Sequence, residues 1–176
     1  RLWYVTDRDE GRVVPVRGLP PLYTQRQGGL LDVVVSETFR RDRVVYLSYA
    51  RPVAGGAVTA VSRGRFEYDG GAARLVDVRE IFRLNRVVTG GIHFGSRLAF
   101  DADGRLYITV GERGRPDQAQ DPTNHQGSVV RINRDGSLPD DNPSRIRGDD
   151  GTVYTPAPGL FSWGHRNAQG IARLWQ

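Results

Sequence analysis

A glycine followed by a short apolar strand, a polar turn and a second strand recurs along this chain. The unit begins at Gly29 (Gly-Leu-Leu-Asp-Val-Val, then Val44-Val-Tyr-Leu-Ser) and again at Gly95 (Gly-Ser-Arg-Leu-Ala-Phe, then Leu106-Tyr-Ile-Thr). It opens a third time at Gly170-Ile-Ala, and the three glycines lie 66 and 75 residues apart. A strand pair cannot bury its apolar face by itself, so a repeat of this length implies four-stranded units that cover one another. The 22 glycines and 10 prolines among 176 residues supply the turns that short strands require. The pattern predicts an all-β, single-domain chain built from propeller-type blades. A β-sandwich with coincident spacing is the other architecture it permits.

Taken in order, residues 1–17 read as a hairpin around the charged turn Asp7-Arg-Asp-Glu-Gly11, with Pro15 expected to push its second arm to a sheet edge. Residues 36–43 read as a polar turn, and 57–66 and 73–78 as two further strands around Asp69-Gly-Gly71. Residues 113–127 form a long polar loop in which His125 reads as a solvated side chain. Val129-Val-Arg-Ile132 with Arg134-Asp-Gly-Ser137 reads as a hairpin, followed by a turn-rich excursion at 138–143. Loops of this size in a compact domain commonly carry function.

The net charge is +5 and every basic residue is arginine. The arginines are interleaved with acids and form no basic run, which argues against nucleic-acid binding. No cysteine is present, which excludes disulfides and thiolate metal sites and suits an oxidising compartment without requiring one. No apolar run is long enough to span a bilayer. The chain has no methionine, including a starting one, and the expectation is a processed N-terminus or a fragment.

The stretch 89–112, TGGIHFGSRLAFDADGRLYITVGE, carries the most chemistry. Leu98 and Phe100 alternate on one arm, and Leu106, Ile108 and Val110 on the other. Asp101-Ala-Asp-Gly104 between them is a strong turn signal. Pairing Asp101 with Arg105 sets Leu98 opposite Ile108 and Phe100 opposite Leu106, and brings His93 and Glu112 to the same end of the hairpin. Strict alternation would place these two on opposite faces, but Gly95 can host a bulge that re-aims the residues before it. A carboxylate beside an imidazole fixes its tautomer and raises its basicity. A lone histidine in such a bend is equally compatible with a structural role. The later Gly164-His-Arg-Asn167 adds a guanidinium and an amide in adjacent positions, a combination that can bind a carboxylate or steady developing negative charge.

Together, Gln27-Gly-Gly-Leu-Leu-Asp32, His93-Phe-Gly-Ser-Arg-Leu98, Gly111-Glu112, Gly136-Ser-Leu-Pro-Asp-Asp-Asn-Pro143 and Gly164-His-Arg-Asn-Ala-Gln-Gly170 resemble the soluble pyrroloquinoline-quinone (PQQ) sugar dehydrogenases. The similarity is to the glucose/sorbosone dehydrogenase family, in particular its aldose sugar dehydrogenase branch, and covers about the first half of a family member. It implies a six-bladed β-propeller of which about three blades lie in residues 1–176, holding PQQ and Ca²⁺ at the channel mouth. It further implies His93 as the base that takes the sugar C1 hydroxyl proton, Glu112 as its orienting acid, and Arg166 and Asn167 on the quinone, with Gln27 as a further cofactor contact. No metal ligand is implied within this chain; the main Ca²⁺ ligands are expected downstream of residue 176. Aldose substrate, an electron acceptor, a periplasmic or secreted location, and self-association through open blade edges follow from the same resemblance. One departure is Ala168, where the family motif has proline. The rival functions are a non-catalytic propeller-like binding module and a Ca²⁺-dependent lactonase.

Overall fold

Alternation of apolar and polar residues, with β-branched and aromatic side chains on the buried face, generates twelve strands in a computed structural model that describes residues 1–6 and 11–173. Four of them, β3 (Leu30–Val35), β4 (Val44–Val53), β5 (Gly56–Tyr68) and β6 (Ala73–Arg83), form an antiparallel meander. A second meander comprises β7 (Gly95–Phe100), β8 (Leu106–Val110), β9 (Ser128–Ile132) and β12 (Leu160–Ser162). The small hairpin of β10 (Ile146–Arg147) and β11 (Val153–Tyr154) is inserted between β9 and β12. Gly29 and Gly95 thus each stand at the start of a four-stranded unit, and the all-β propeller class holds. The only α-helical turn among the described residues is α1 (Phe39–Asp42), inside the stretch read as a polar turn.

The two meanders pack face to face. Val44, Tyr46, Val58, Val61, Phe82 and Leu84 of the first meet Leu98, Leu106, Ile108, Val110, Val130 and Ile132 of the second in one buried cluster. The first sheet is covered on its other face too, where Val45, Leu47 and Leu75 pack with Val14 and Val16. Covering on both faces explains why residues 44–50 of β4 form one continuous buried run instead of alternating. The leading strands of the two units are tied directly, because Leu98 N–H donates to Asp32 Oδ2 at 2.9 Å. Thr59 Oγ1 likewise donates to the Phe94 carbonyl at 2.9 Å, joining β5 to the bend before β7.

Several expectations change in this frame. Strand β1 (Trp3–Val5) pairs with β2 (Val13–Arg17) as expected, although residues 7–10 of the charged turn lie outside the described residues. Strand β2 is not an edge strand: it also runs parallel to β6, with Val16 opposite Ala73 and Arg17 opposite Arg74. Proline is tolerated there because the parallel ladder begins only after Pro15. The turn after β9 forms, with Gly136 N–H donating to the Asn133 carbonyl at 3.0 Å, but it closes no hairpin. The free side of β9 is instead taken by β12, which returns from about 30 residues later. Gly170-Ile-Ala begins no strand within the described residues.

Candidate active site

The β7–β8 hairpin has the expected register, Leu98 opposite Ile108 and Phe100 opposite Leu106, with the Asp101 N–H donating to the Arg105 carbonyl. Its ladder then shifts between Gly95 and Leu98, so a bulge sits where the glycine was expected to host one. Gly95 has φ +64° and Ser96 φ +77°. The bulge turns the preceding bend, and His93, itself at φ +52°, swings onto the face occupied by Glu112. His93 Nδ1 lies 2.7 Å from Glu112 Oε2 and 2.8 Å from Oε1. Nδ1–H therefore donates to the carboxylate, and Nε2 is left with its lone pair available. The Glu112 side chain is only 3% exposed and that of His93 13%.

The remaining candidates converge on the same bend. Gln27 Oε1 accepts from the His93 N–H at 2.8 Å, and the Gln27 N–H donates to the Gly91 carbonyl at 3.0 Å. After β12 the chain runs back along the end of β8. There the Glu112 N–H donates to the Arg166 carbonyl at 2.8 Å, and Thr109 Oγ1 donates to the Ala168 carbonyl at 2.9 Å. Asn167 Oδ1 accepts from the Gly95 N–H and from Gln169 Nε2, both at 3.0 Å. Backbone fixes the positions of Gln27, Glu112, Arg166 and Asn167, while the Arg166 guanidinium stays exposed.

With their oxygens engaged, the amides of Gln27 and Asn167 keep NH₂ groups to offer. With the exposed side chain of Arg166, next to Asn167 in sequence, these are donor types suited to an acceptor-rich anion such as a quinone polycarboxylate. PQQ fits that chemistry. Among the described residues no three His, Cys, Asp or Glu side chains converge as a metal site. A separate hollow lies between Tyr4, Arg43, Phe66 and Tyr68.

Sequence reasoning missed Arg113. Although it follows Glu112 at the mouth of a loop read as polar and open, it is 1% exposed. Its guanidinium stacks on Phe94, 3.6 Å from the ring centroid, and donates to the carbonyls of Ile92 and Ala57 at 2.8 Å and to that of Gly90. Burial pushes its pKa down to about 10, which leaves it charged at neutral pH. The signal available was a lone arginine directly after a carboxylate in a glycine-bracketed segment, which reads like any surface pair.

The same loop corrects the reading of His125, which is buried and not solvated. Its Nε2–H donates to the Pro158 carbonyl at 2.9 Å, Nδ1 accepts from the Asn85 N–H at 3.3 Å, and Phe82 meets its ring edge-on. Burial holds its pKa below the ordinary histidine value. Loop 113–127 is thus largely a packed support for Glu112, whose carbonyl accepts from buried Gln126 Nε2 at 3.0 Å.

A family model described as Glucose / Sorbosone dehydrogenase matches residues 1–176. The chain is 38% identical over 168 residues to aldose sugar dehydrogenase YliI of Escherichia coli (strain K12), covering 93% of this chain and 42% of that protein. It is 36% identical over 99 residues to quinoprotein glucose dehydrogenase B of Acinetobacter calcoaceticus, covering 46% of this chain and 19% of that one. The apo-form structure of the soluble aldose sugar dehydrogenase from Escherichia coli superposes with a TM-score of 0.81 at 36% identity, over 94% of this chain and 45% of that one. The PQQ-bound aldose sugar dehydrogenase from Streptomyces coelicolor gives a TM-score of 0.74 at 26% identity, over 94% and 44%. The chain spans less than half the length of these relatives.

Proposed function

Because the chain belongs to the glucose/sorbosone dehydrogenase family, we propose that it carries the acid–base half of a PQQ-dependent aldose dehydrogenase. The observation that carries this reading is the His93–Glu112 pair, tied to the Arg166 carbonyl and the Asn167 side chain of the segment that follows β12. Residues 1–176 are a single domain of about three blades in this reading, two of them being the complete meanders.

His93 Nε2 accepts the proton of the sugar C1 hydroxyl, while Glu112 holds Nδ1–H and stabilises the imidazolium that forms. Loss of that proton drives the C1 hydrogen out with its electron pair, and the aldose becomes the lactone. PQQ, when bound, supplies the quinone that takes up the hydride. Arg166, Asn167 and Gln27 would hold it through donors to its oxygens, and Arg166 would steady the negative charge that develops there. The calcium ion that accompanies PQQ in the family would take its main ligands outside this chain. The enzyme works in a periplasmic or secreted setting and passes its electrons to a separate acceptor. Among the described residues no helix is long and apolar enough to cross a membrane.

The test is the intact protein supplied with PQQ, Ca²⁺, an aldose and an artificial electron acceptor. His93→Ala is expected to retain PQQ binding and lose turnover by about 10²–10⁴-fold, the usual cost of removing a general base. Undiminished turnover would remove His93 from the mechanism.

A further inference from the structure

The bend from Gly90 to His93 has two inward-facing carbonyls, those of Gly90 and Ile92, and both find a donor in the Arg113 side chain. The same guanidinium reaches across to the Ala57 carbonyl at the start of β5 and lies flat on the ring of Phe94, the residue after His93. It forms no ion pair within 4 Å among the described residues, so its charge is not neutralised by direct contact. The carboxylate of Glu112, its neighbour in sequence, has His93 as its hydrogen-bonded side-chain partner.

Resting on the reading of His93 as the base, we propose that Arg113 is the positioning residue of this site. It holds the left-handed bend that keeps His93 Nδ1 on Glu112. Arginine suits this task because its planar fork reaches three carbonyls on different sides while its face stacks on an aromatic ring. A lysine keeps the charge, but its three donors radiate from one atom and cannot span the same acceptors. Without the fork, the buried Ala57 carbonyl and the part-buried carbonyls of Gly90 and Ile92 lose this donor, and relaxation of the bend turns the imidazole off the carboxylate.

The experiment is NMR of the intact protein with ¹⁵N-labelled histidine, comparing Arg113→Lys and Arg113→Met with the parent. The parent should show His93 as the Nδ1–H tautomer with a downfield, hydrogen-bonded proton. Both variants should lose that proton signal and give a mixed tautomer at His93. The His165 ring, held 2.8 Å from Ser162 Oγ, should keep its signals. A variant that melts earlier but leaves the His93 signals in place would make Arg113 merely structural and overturn the proposal. If neither arginine variant folds, Phe94→Leu decides: it spares the donors, removes the stacking face and should weaken the same signal, whereas an unchanged signal overturns the proposal. The readout needs neither sugar nor cofactor. Intact turnover in His93→Ala alongside a positive NMR result would therefore defeat the catalytic reading and leave the positioning role standing.

Discussion

At the residue scale the site depends on close backbone approach as much as on its reactive groups. A Cβ on Gly111 would stand 2.0 Å from the His93 carbonyl oxygen and 2.8 Å from Asn167 Oδ1. No rotamer relieves a contact with backbone, so Gly111→Ala has to push the His93 bend and the Asn167 loop apart. It is expected to cost about 1–3 kcal/mol of stability, the range for overpacking, and to weaken PQQ binding in the same sample. Calorimetry and cofactor titration check the two effects together. His125 gives a pH prediction. Burial lowers its folded-state pKa, so the unfolded chain, near the ordinary histidine value of about 6.5, takes up the proton first. Its contribution to stability is complete above about pH 6.5 and is lost as pH falls from there toward the lowered folded value. Denaturant melts between pH 7 and 5 should show a steeper loss in the parent than in His125→Gln. Equal slopes would mean that His125 stays accessible to protons in the fold.

At the element scale the β7–β8 hairpin does two jobs with its two faces and its end. Its buried face supplies Leu98, Leu106 and Ile108 to the cluster between the meanders, and its open end presents His93 and Glu112. Ile108 is fully buried at the centre of that cluster. Ile108→Ala is expected to cost about 2–5 kcal/mol by the transfer and cavity terms, and to loosen the packing of the two units. Thermal denaturation measures the loss, and a change below 1 kcal/mol would show that the two units do not depend on this contact. The hairpin was the most legible element in the sequence, because its turn chemistry and alternation agree on one register. Strand β12 was not legible: Leu160-Phe-Ser is three residues long, and its partner β9 lies beyond an inserted hairpin.

At the scale of the whole molecule, the second meander leaves apolar side chains on its outer face. Phe161 is 47% and Trp163 39% exposed, and Tyr107 stacks edge-on against Phe161 with ring centroids 5.1 Å apart. In a propeller such a face lies against the next blade, and an uncovered aromatic patch favours association. Residues 1–176 alone are therefore expected to self-associate in sedimentation velocity, with Phe161→Ser reducing the effect. They are also expected to show no sugar oxidation with added PQQ and Ca²⁺, since calcium requires six to eight oxygen ligands held together by the fold. Turnover by the isolated chain would place the complete site within it and overturn that expectation.

What the sequence determined alone was whatever rests on local chemistry: the all-β class, the start of each unit at Gly29 and Gly95, the hairpin register, and the approach of His93 to Glu112. Each of these follows from turn residues, alternation and a glycine able to adopt positive φ, all within a few residues of one another. Only the tertiary structure decided that Arg113 and His125 are buried, that β2 is covered on both sides, and that β12 closes the second unit. A polar side chain becomes a core residue when distant backbone supplies its hydrogen bonds. The carbonyl of Ala57, 56 positions from Arg113 along the chain, leaves no mark on the residues around Arg113.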